Sequence, residues 1–128
     1  MKLLLDTHSF LWFVQGDPNL GVNASAQIGD ESNEIYLSMA SVWEIAIKIS
    51  VGKLKIDQEL DSFLYDQLNL NRMSIINISI EHVSKVANMP FHHRDPFDRL
   101  IIAQSINEQM PIVSRDEAFD AYGVTRIW

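Results

Sequence analysis

Hydrophobic positions along the chain fall into short apolar or alternating runs, separated by longer segments with helical spacing. The short runs are typical of β-strands, and apolar residues at i, i+3 and i+4 are typical of amphipathic helices. Strands are predicted at residues 3–5, 34–38, 75–78, 110–113 and 124–128. Helices are predicted from residue 7 to a stop near 16–18, around 24–28, at 41–50, 60–68, 83–87 and 96–108, with one turn at 117–122.

This alternation predicts a mostly parallel sheet with helices on both faces, which is a three-layer α/β/α fold. A length of 128 residues suits one hydrophobic core, so a single domain spanning residues 1–128 is expected. The composition, 47% hydrophobic and 21% charged, is that of an ordinary globular protein. No stretch approaches the roughly 20 consecutive apolar residues that a membrane-spanning helix needs. In such sheets, ligands bind beyond the carboxyl ends of the strands.

The first residues, the lack of cysteine and the net charge narrow the class of protein further. The apolar run after Met1 ends at Asp6 and is too short for a signal peptide, so export is not expected. Without cysteine, any metal must be held by oxygen or imidazole, and a cytoplasmic location is expected. A net charge of −7 argues against binding nucleic acid by bulk electrostatics, although bound divalent cations can supply the missing positive charge.

Four acidic residues from distant segments are predicted to meet at one edge of the sheet. Asp6 directly follows the first predicted strand, and Asp116 follows the fourth by three residues. Glu44 and Asp98 each fall in the first turn of a predicted helix, which in a parallel sheet starts near the same edge. Convergence of like charges is costly without cations, and oxygen ligands favour Mg²⁺ or Mn²⁺. The candidate metal ligands and catalytic residues are therefore Asp6, Glu44, Asp98 and Asp116.

Each acid also has an interpretation that requires no metal. Asp6 could cap the helix that follows it, and Asp116 could be a turn residue. Segments 41–44 and 95–98 both fit a capping box, with Asp95 as the N-cap of the second, and for either segment alone capping is the better interpretation. The choice therefore depends on what surrounds Glu44 and Asp98.

Both of these acids lie in unusually apolar segments. Residues 42–49 are hydrophobic nearly all round with Glu44 and Lys48 as the only charges, so this helix is predicted to be buried on most of its faces. Asp98 is flanked by hydrophobic residues at 97 and 100–103. A buried charge is costly unless paired, and Lys48 lies at i+4 from Glu44. Two near-buried acids in separate helices favour a functional site over two caps.

Four segments resemble the PIN domain family, and within it the VapC-type toxins of toxin–antitoxin systems. They are LLLDTHSFLW (3–12), SMASVWEIAIKISVGKL (38–54), HHRDPFDRLIIAQ (92–104) and VSRDEAFDAYGV (113–124), in the family's order. The resemblance implies a PIN fold and maps the family's metal-binding acids onto Asp6, Glu44, Asp98 and Asp116. It also implies endonucleolytic cleavage of RNA, neutralisation by a cognate antitoxin, and frequent assembly as a dimer of toxins.

Two other functions are kept open. A non-catalytic Mg²⁺-binding α/β module of the receiver type would need an acidic pair near the first strand and a late lysine, whereas Asp6 stands alone and no lysine follows Lys85. The closer alternative is a PIN-like nuclease with a housekeeping role on RNA or DNA and no antitoxin. A gene for a short DNA-binding protein beside this one would favour the toxin.

Residues outside the four acids have weaker patterns. His92 and His93 lie in a polar loop and are interpreted as plain surface residues. Arg94 and Arg99 are expected to pair with the carboxylates of the same segment. The surplus apolar surface of residues 42–49 is expected to be covered by a second copy of the chain or by an antitoxin helix.

Overall fold

Five short strands form a single parallel sheet. They are β1 (Lys2–Leu5), β2 (Glu34–Ser38), β3 (Met73–Ile76), β4 (Ile112–Val113) and β5 (Arg126–Ile127). Their order across the sheet is β3-β2-β1-β4-β5, so the first strand is central. The computed structural model describes all 128 residues of the chain.

Six α-helices and one 3₁₀ helix connect the strands. They are α1 (Thr7–Gln15), α2 (Val22–Gly29), α3 (Met39–Ser50), α4 (Leu60–Leu70), α5 (Ile80–Asn88), α6 (Pro96–Glu108) and the 3₁₀ helix Glu117–Tyr122. None of these helices is both long and apolar enough to cross a membrane.

Alternate residues of β1 point into separate cores on the two faces of the sheet. Leu3 and Leu5 pack with residues of α1, α2 and α4, whereas Leu4 packs with residues of α6 and the 3₁₀ helix. All three leucines are fully buried, because a central strand covered on both sides leaves no face to solvent. The predicted three-layer α/β/α fold is confirmed.

The third strand lies two residues earlier than the prediction of 75–78. Met73 pairs with Ile35 and Ile76 pairs with Ser38, so β3 ends level with its neighbour β2. Ser79 then caps α5, accepting a hydrogen bond from the backbone N–H of His82 at 3.2 Å. Ile78, the apolar residue between Ile76 and Ser79, belongs to the connection, which the hydrophobic pattern alone cannot separate from a strand.

Helix α3 begins two residues before its predicted start, and its cap is Ser38. The Ser38 hydroxyl accepts a hydrogen bond from the backbone N–H of Ala40 at 3.0 Å. The alternative interpretation of residues 41–44 as a capping box is therefore excluded, because Ser41 lies inside the helix and Glu44 lies in its second turn. A serine that ends β2 and caps α3 lets the chain pass from strand to helix without a linker.

The prediction that α3 is buried on most of its faces is correct except along one exposed stripe. Trp43 is 58% exposed and Ile47 is 38% exposed, whereas Ala40 and Ile45 are fully buried. Val42 and Ile49 pack against the core, so the hydrophobic surface that α3 leaves to solvent is the stripe formed by Met39, Trp43 and Ile47. Such exposed apolar surface is typical of a contact site for another protein.

The carboxyl ends of the two central strands lie side by side. Leu5 of β1 pairs with Val113 of β4. Beyond this pair, the Asp6 backbone N–H and the Ser9 hydroxyl both donate hydrogen bonds to the Val113 carbonyl oxygen, at 3.1 and 3.0 Å. This edge therefore brings the residues that follow β1 next to those that follow β4.

Candidate functional site

Asp6 lies at this edge, directly after β1, and caps α1. Its Oδ1 atom accepts a hydrogen bond from the backbone N–H of Ser9 at 2.8 Å, and the residue is only 6% exposed. The second carboxylate oxygen accepts no hydrogen bond from the protein. Capping and a role in a site are therefore compatible for Asp6, since capping occupies only one of its oxygens.

Asp116 follows β4 and caps the 3₁₀ helix. Its Oδ1 accepts from the backbone N–H of Ala118 at 3.0 Å, and its Oδ2 accepts from Nε2 of His93 at 2.9 Å. Burial alone would raise the pKa of Asp116, but the hydrogen bonds from His93 and Ala118 are the main effects that outweigh it and hold the pKa below its usual value. Asp116 therefore carries its negative charge at neutral pH.

Asp98 lies in the first turn of α6, where the alternative interpretation of residues 95–98 as a capping box is only half correct. Asp95 is the N-cap, as predicted, because its Oδ1 accepts from the backbone N–H groups of Phe97 and Asp98 at 2.8 and 3.3 Å. The Asp98 side chain does not return a hydrogen bond to Asp95, and it accepts none elsewhere in the protein. Helix capping therefore does not account for this carboxylate.

The environment of Asp98 opposes its negative charge. Its partial burial is the largest cause, and the neighbouring carboxylates are the next. Together they raise its pKa to about 7. The carboxylates that contribute are Asp95, Glu44, Asp6 and Asp116. The charges of all three other predicted site residues therefore contribute to the raised pKa of Asp98.

Glu44 is 7% exposed and is held from two sides. The Thr7 hydroxyl donates to its Oε1 at 2.6 Å, and Nζ of Lys48 lies 3.4 Å from its Oε2. The predicted i, i+4 pair with Lys48 is confirmed. Thr7 directly follows Asp6, so this hydrogen bond ties the helix that carries Glu44 to the start of α1.

A cavity of about 290 Å³ opens at the edge of the sheet beside these acids. Its lining combines three carboxylates with aromatic rings and one guanidinium group: Asp6, His8, Trp12, Asp98, Arg115, Asp116 and Phe119. Glu44 does not line the cavity, although its charge reaches Asp98. The structure therefore places three of the four predicted residues in one cavity and the fourth close enough to act on them electrostatically.

The side chains at this cavity fit a hard divalent cation. The predicted ligands offer only oxygen atoms, which Mg²⁺ and Mn²⁺ prefer. Asp98 is repelled by its neighbours and has no donor within the protein, so a cation would satisfy both its charge and its oxygen atoms. No lysine lines the cavity, and Lys48 is paired with Glu44.

His93 is not the plain surface residue that the sequence indicates. Its side chain is 9% exposed, and its ring nitrogen binds Asp116 across 23 residues of sequence. Possible ligand atoms of His93, Asp98 and Asp116 all lie within 4.8 Å of one another. No local sequence pattern predicts the contact between His93 and Asp116. The one feature of the sequence that places His93 near the site is its position in the same segment as Asp98.

The expectation that Arg99 pairs with a carboxylate of its segment is wrong. Its buried guanidinium group donates instead to three carbonyl oxygens at and after the end of α5, those of Val86, Met89 and Pro90. The carbonyl groups at a helix C-terminus attract a cation, which accounts for the preference. Arg94 is exposed and forms no ion pair in the structure.

Comparisons with known proteins agree with this architecture. Residues 3–124 match the family model described as PIN domain. The fold is similar to VapBC2 from Rickettsia felis, solved bound to a promoter DNA fragment (TM-score 0.73, 18% identity, covering 98% of this chain and 97% of that chain). It is also similar to FitAcB from Neisseria gonorrhoeae (TM-score 0.65, 18% identity, 97% and 95% covered). A toxin–antitoxin complex from Klebsiella pneumoniae is more distant (TM-score 0.51, 15% identity, 89% and 86% covered). No curated protein matched the sequence.

Proposed function

This chain belongs to the PIN domain family, and we propose that it is a divalent-metal-dependent endoribonuclease that acts as the toxin of a toxin–antitoxin pair. The observation that carries the nuclease proposal is the convergence of three carboxylates on one cavity, where burial and the neighbouring carboxylates raise the pKa of Asp98 to about 7. Proteins seldom gather like charges in this way without a cation to neutralise them.

In this proposal Asp6, Asp98 and Asp116 hold the cation, and Glu44 adds negative charge beside them. When bound, Mg²⁺ or Mn²⁺ supplies the positive charge that activates water and stabilises the leaving oxygen of a phosphodiester. Asp116, ionised at neutral pH and fixed by two hydrogen bonds, is suited to orient the attacking water. Asp98 can carry a proton until a cation replaces it.

The other walls of the cavity support RNA as the substrate. Trp12 and His8, whose rings lie 5.5 Å apart, offer flat surfaces on which an unpaired base can stack. Arg115 is exposed and lines the same cavity, where it can contact a phosphate. With a net charge of −7, the protein needs such local contacts in place of a basic surface.

RNA cleavage by the purified protein is expected to require Mg²⁺ or Mn²⁺. A chelator should abolish cleavage because no lysine, histidine or cysteine arrangement at the cavity supplies an equivalent catalyst, and either ion should restore it when added in excess. The measurement is the fragmentation of a structured RNA, such as tRNA, and of DNA of matched length, each with and without EDTA.

The control for contaminating nuclease is a variant lacking Asp6, purified in the same way. Undiminished cleavage in excess EDTA by the parent, with none by this variant, would rule out the metal mechanism. Cleavage confined to DNA would favour the housekeeping alternative.

The surface around α3 and α4 supports an antitoxin as the partner. A second cavity, of about 640 Å³, lies between these helices and the end of β3, and seven of its ten lining residues are hydrophobic. Glu59 and Asp61 also line it. A groove of this character suits an amphipathic helix with a basic side chain. The exposed Trp43 and Ile47 of α3 further support contact with an antitoxin or with a second copy in a homodimer.

Expression of this chain alone is expected to arrest bacterial growth, and coexpression with its antitoxin should relieve the arrest. Tyr65 lines the second cavity and is 69% exposed, so Tyr65→Asp should preserve toxicity and folding but weaken the relief. Val83→Asp is the matched control, because Val83 is exposed on α5, outside this cavity. Growth curves with and without the antitoxin measure both effects. Harmless expression of a chain that cleaves RNA would argue for a housekeeping nuclease.

A further inference from the structure

A chain of hydrogen bonds runs from the loop before α6 to the carboxylate of Asp116. The hydroxyl oxygen of Tyr122 accepts from the backbone N–H groups of His92 and His93, at 3.0 and 2.8 Å. The same hydroxyl lies 3.3 Å from Nδ1 of His93, and Nε2 of His93 lies 2.9 Å from Oδ2 of Asp116. The His93 ring is thus held at both of its nitrogen atoms.

The two backbone contacts determine where the protons of this chain lie. A phenolic oxygen has two lone pairs, and in Tyr122 both are used by backbone N–H groups. Its own hydrogen therefore points to the remaining neighbour, Nδ1 of His93, which must accept it. A neutral imidazole whose Nδ1 accepts carries its proton on Nε2. His93 consequently donates an N–H to Asp116 and has no lone pair free at that atom.

Packing keeps the His93 ring in this orientation. It stacks on the ring of Tyr122, with centroids 5.5 Å apart, and meets the ring of Phe119 edge-on at 4.9 Å. Both aromatic residues belong to the 3₁₀ helix that Asp116 caps. The carboxylate, the helix that it caps and the imidazole that binds it therefore form one closed set of contacts.

From this geometry we propose that His93 is a positioning residue, which fixes the carboxylate of Asp116 for cation binding and is not itself a ligand of the cation. The inference rests on the proposed function of the carboxylate site. With Oδ1 bound by Ala118 and Oδ2 bound by His93, the carboxylate cannot rotate, and each oxygen keeps a lone pair for the cation. Hydrogen bonds of this kind to a metal-binding group commonly change metal affinity by about 10- to 100-fold.

The alternative is that His93 coordinates the cation through Nε2, as its distance from Asp98 and Asp116 would allow. Coordination would require the proton to move to Nδ1, which would then point at the Tyr122 oxygen. That oxygen would face three N–H donors with only two lone pairs. The hydrogen bonds of the loop therefore favour the positioning role.

The test combines substitution with a spectroscopic measurement on the parent protein. Mn²⁺ affinity is measured without RNA for the parent and for His93→Gln, His93→Leu and His92→Leu. His93→Leu removes the donor and should weaken Mn²⁺ binding about tenfold or more. His93→Gln keeps an N–H near the position of Nε2 and should recover most of the affinity. His92→Leu is the matched control, because the His92 side chain makes no hydrogen bond to an acid, and it should bind like the parent.

Electron spin echo measurements on the Mn²⁺-loaded parent should show no directly coordinated nitrogen. A strong ¹⁴N coupling that disappears in His93→Leu would overturn the inference and make His93 a ligand. Equal Mn²⁺ affinity of His93→Leu and the parent would overturn it as well, while leaving the proposed function intact if the parent cleaves RNA. A parent that binds no Mn²⁺ and cleaves no RNA would overturn the proposed function, and the inference with it.

Discussion

Asp98→Asn is expected to lower RNA cleavage by about 100-fold or more while making the metal-free protein more stable at neutral pH. The carboxylate accepts no hydrogen bond, and burial together with neighbouring negative charges raises its pKa to about 7. Ionisation of Asp98 therefore opposes folding. The amide has nearly the same shape without the charge, so it relieves the repulsion but is a poor ligand for a hard cation.

The sign of the stability change follows from the raised pKa. An unfolded chain loses the Asp98 proton near its usual pKa of 3.8, whereas the folded chain keeps it until about 7. The parent should therefore lose stability as pH rises between these values, and above them it should be less stable than the variant by about 2 kcal/mol. Thermal melts in EDTA across this range measure the difference. Mg²⁺ should then stabilise the parent by mass action and the variant less.

Asp95→Asn is the control for a general effect of removing an acid from α6. Asp95 caps the helix and is exposed, and asparagine caps nearly as well as aspartate, so cleavage should change little. Because the charge of Asp95 also raises the pKa of Asp98, Asp95→Asn should stabilise the metal-free protein, but by less than Asp98→Asn does. The site assignment would be wrong for Asp98 if Asp98→Asn stayed active, melted below the parent in EDTA, and gained as much stability from Mg²⁺ as the parent does.

The architecture was predictable because hydrophobic periodicity reports directly on which residues face a core. The run at residues 3–5 predicts a strand, and all three leucines are fully buried in β1. Boundaries are harder where an apolar residue lies beyond the hydrogen-bonded register, as Ile78 does after β3. The end of β3 is set by its pairing with β2. This pairing is a contact between segments that are distant in sequence, so the hydrophobic periodicity of one segment does not report it.

The carboxylates were predictable to different degrees. Asp6 and Asp116 follow neighbouring parallel strands, and the topology of a parallel sheet brings such residues to one edge. Glu44 was expected in a first turn but lies in a second, because Ser38 starts α3 early. The prediction that Glu44 is nearly buried is confirmed. It was based on the presence of this charge in a nearly apolar helix.

The roles of His93 and Arg99 were not predictable from local sequence. The role of each residue depends on hydrogen-bond acceptors that are distant in sequence and close in the fold. The acceptor is Asp116 for the histidine and the carbonyl groups at the end of α5 for the arginine. Both residues neighbour carboxylates in sequence, which made pairing with those carboxylates or with solvent the natural expectation. Through-space partners of polar residues carry no periodic signal, so they become visible only with the structure.

The affinity of the protein for Mn²⁺ is expected to fall about tenfold between about pH 8 and about pH 6, with release of a proton on binding. In the metal-free protein Asp98 has a pKa of about 7, so it is mostly ionised at the higher pH and mostly protonated at the lower one. A cation can bind this carboxylate only after the proton leaves. Below neutrality each binding event should therefore release nearly one proton, at pH 7 about half of one, and well above pH 7 almost none.

Calorimetric titration of Mn²⁺ in buffers of different ionisation enthalpy measures the released proton directly. Asp98→Asn should bind more weakly and should release almost no proton over the same range, because the group that exchanges its proton for the cation is gone.

Asp120→Asn is the matched control. It removes an exposed carboxylate that pairs with Arg126 at 2.9 Å, outside the cavity, so it should keep both the pH dependence and the proton release of the parent. Mn²⁺ binding by the parent with pH-independent affinity and no proton release would mean that the cation does not displace the proton of Asp98. The neighbouring carboxylates would then raise its pKa without sharing a cation with it, and the assignment of Asp98 as a ligand would fail.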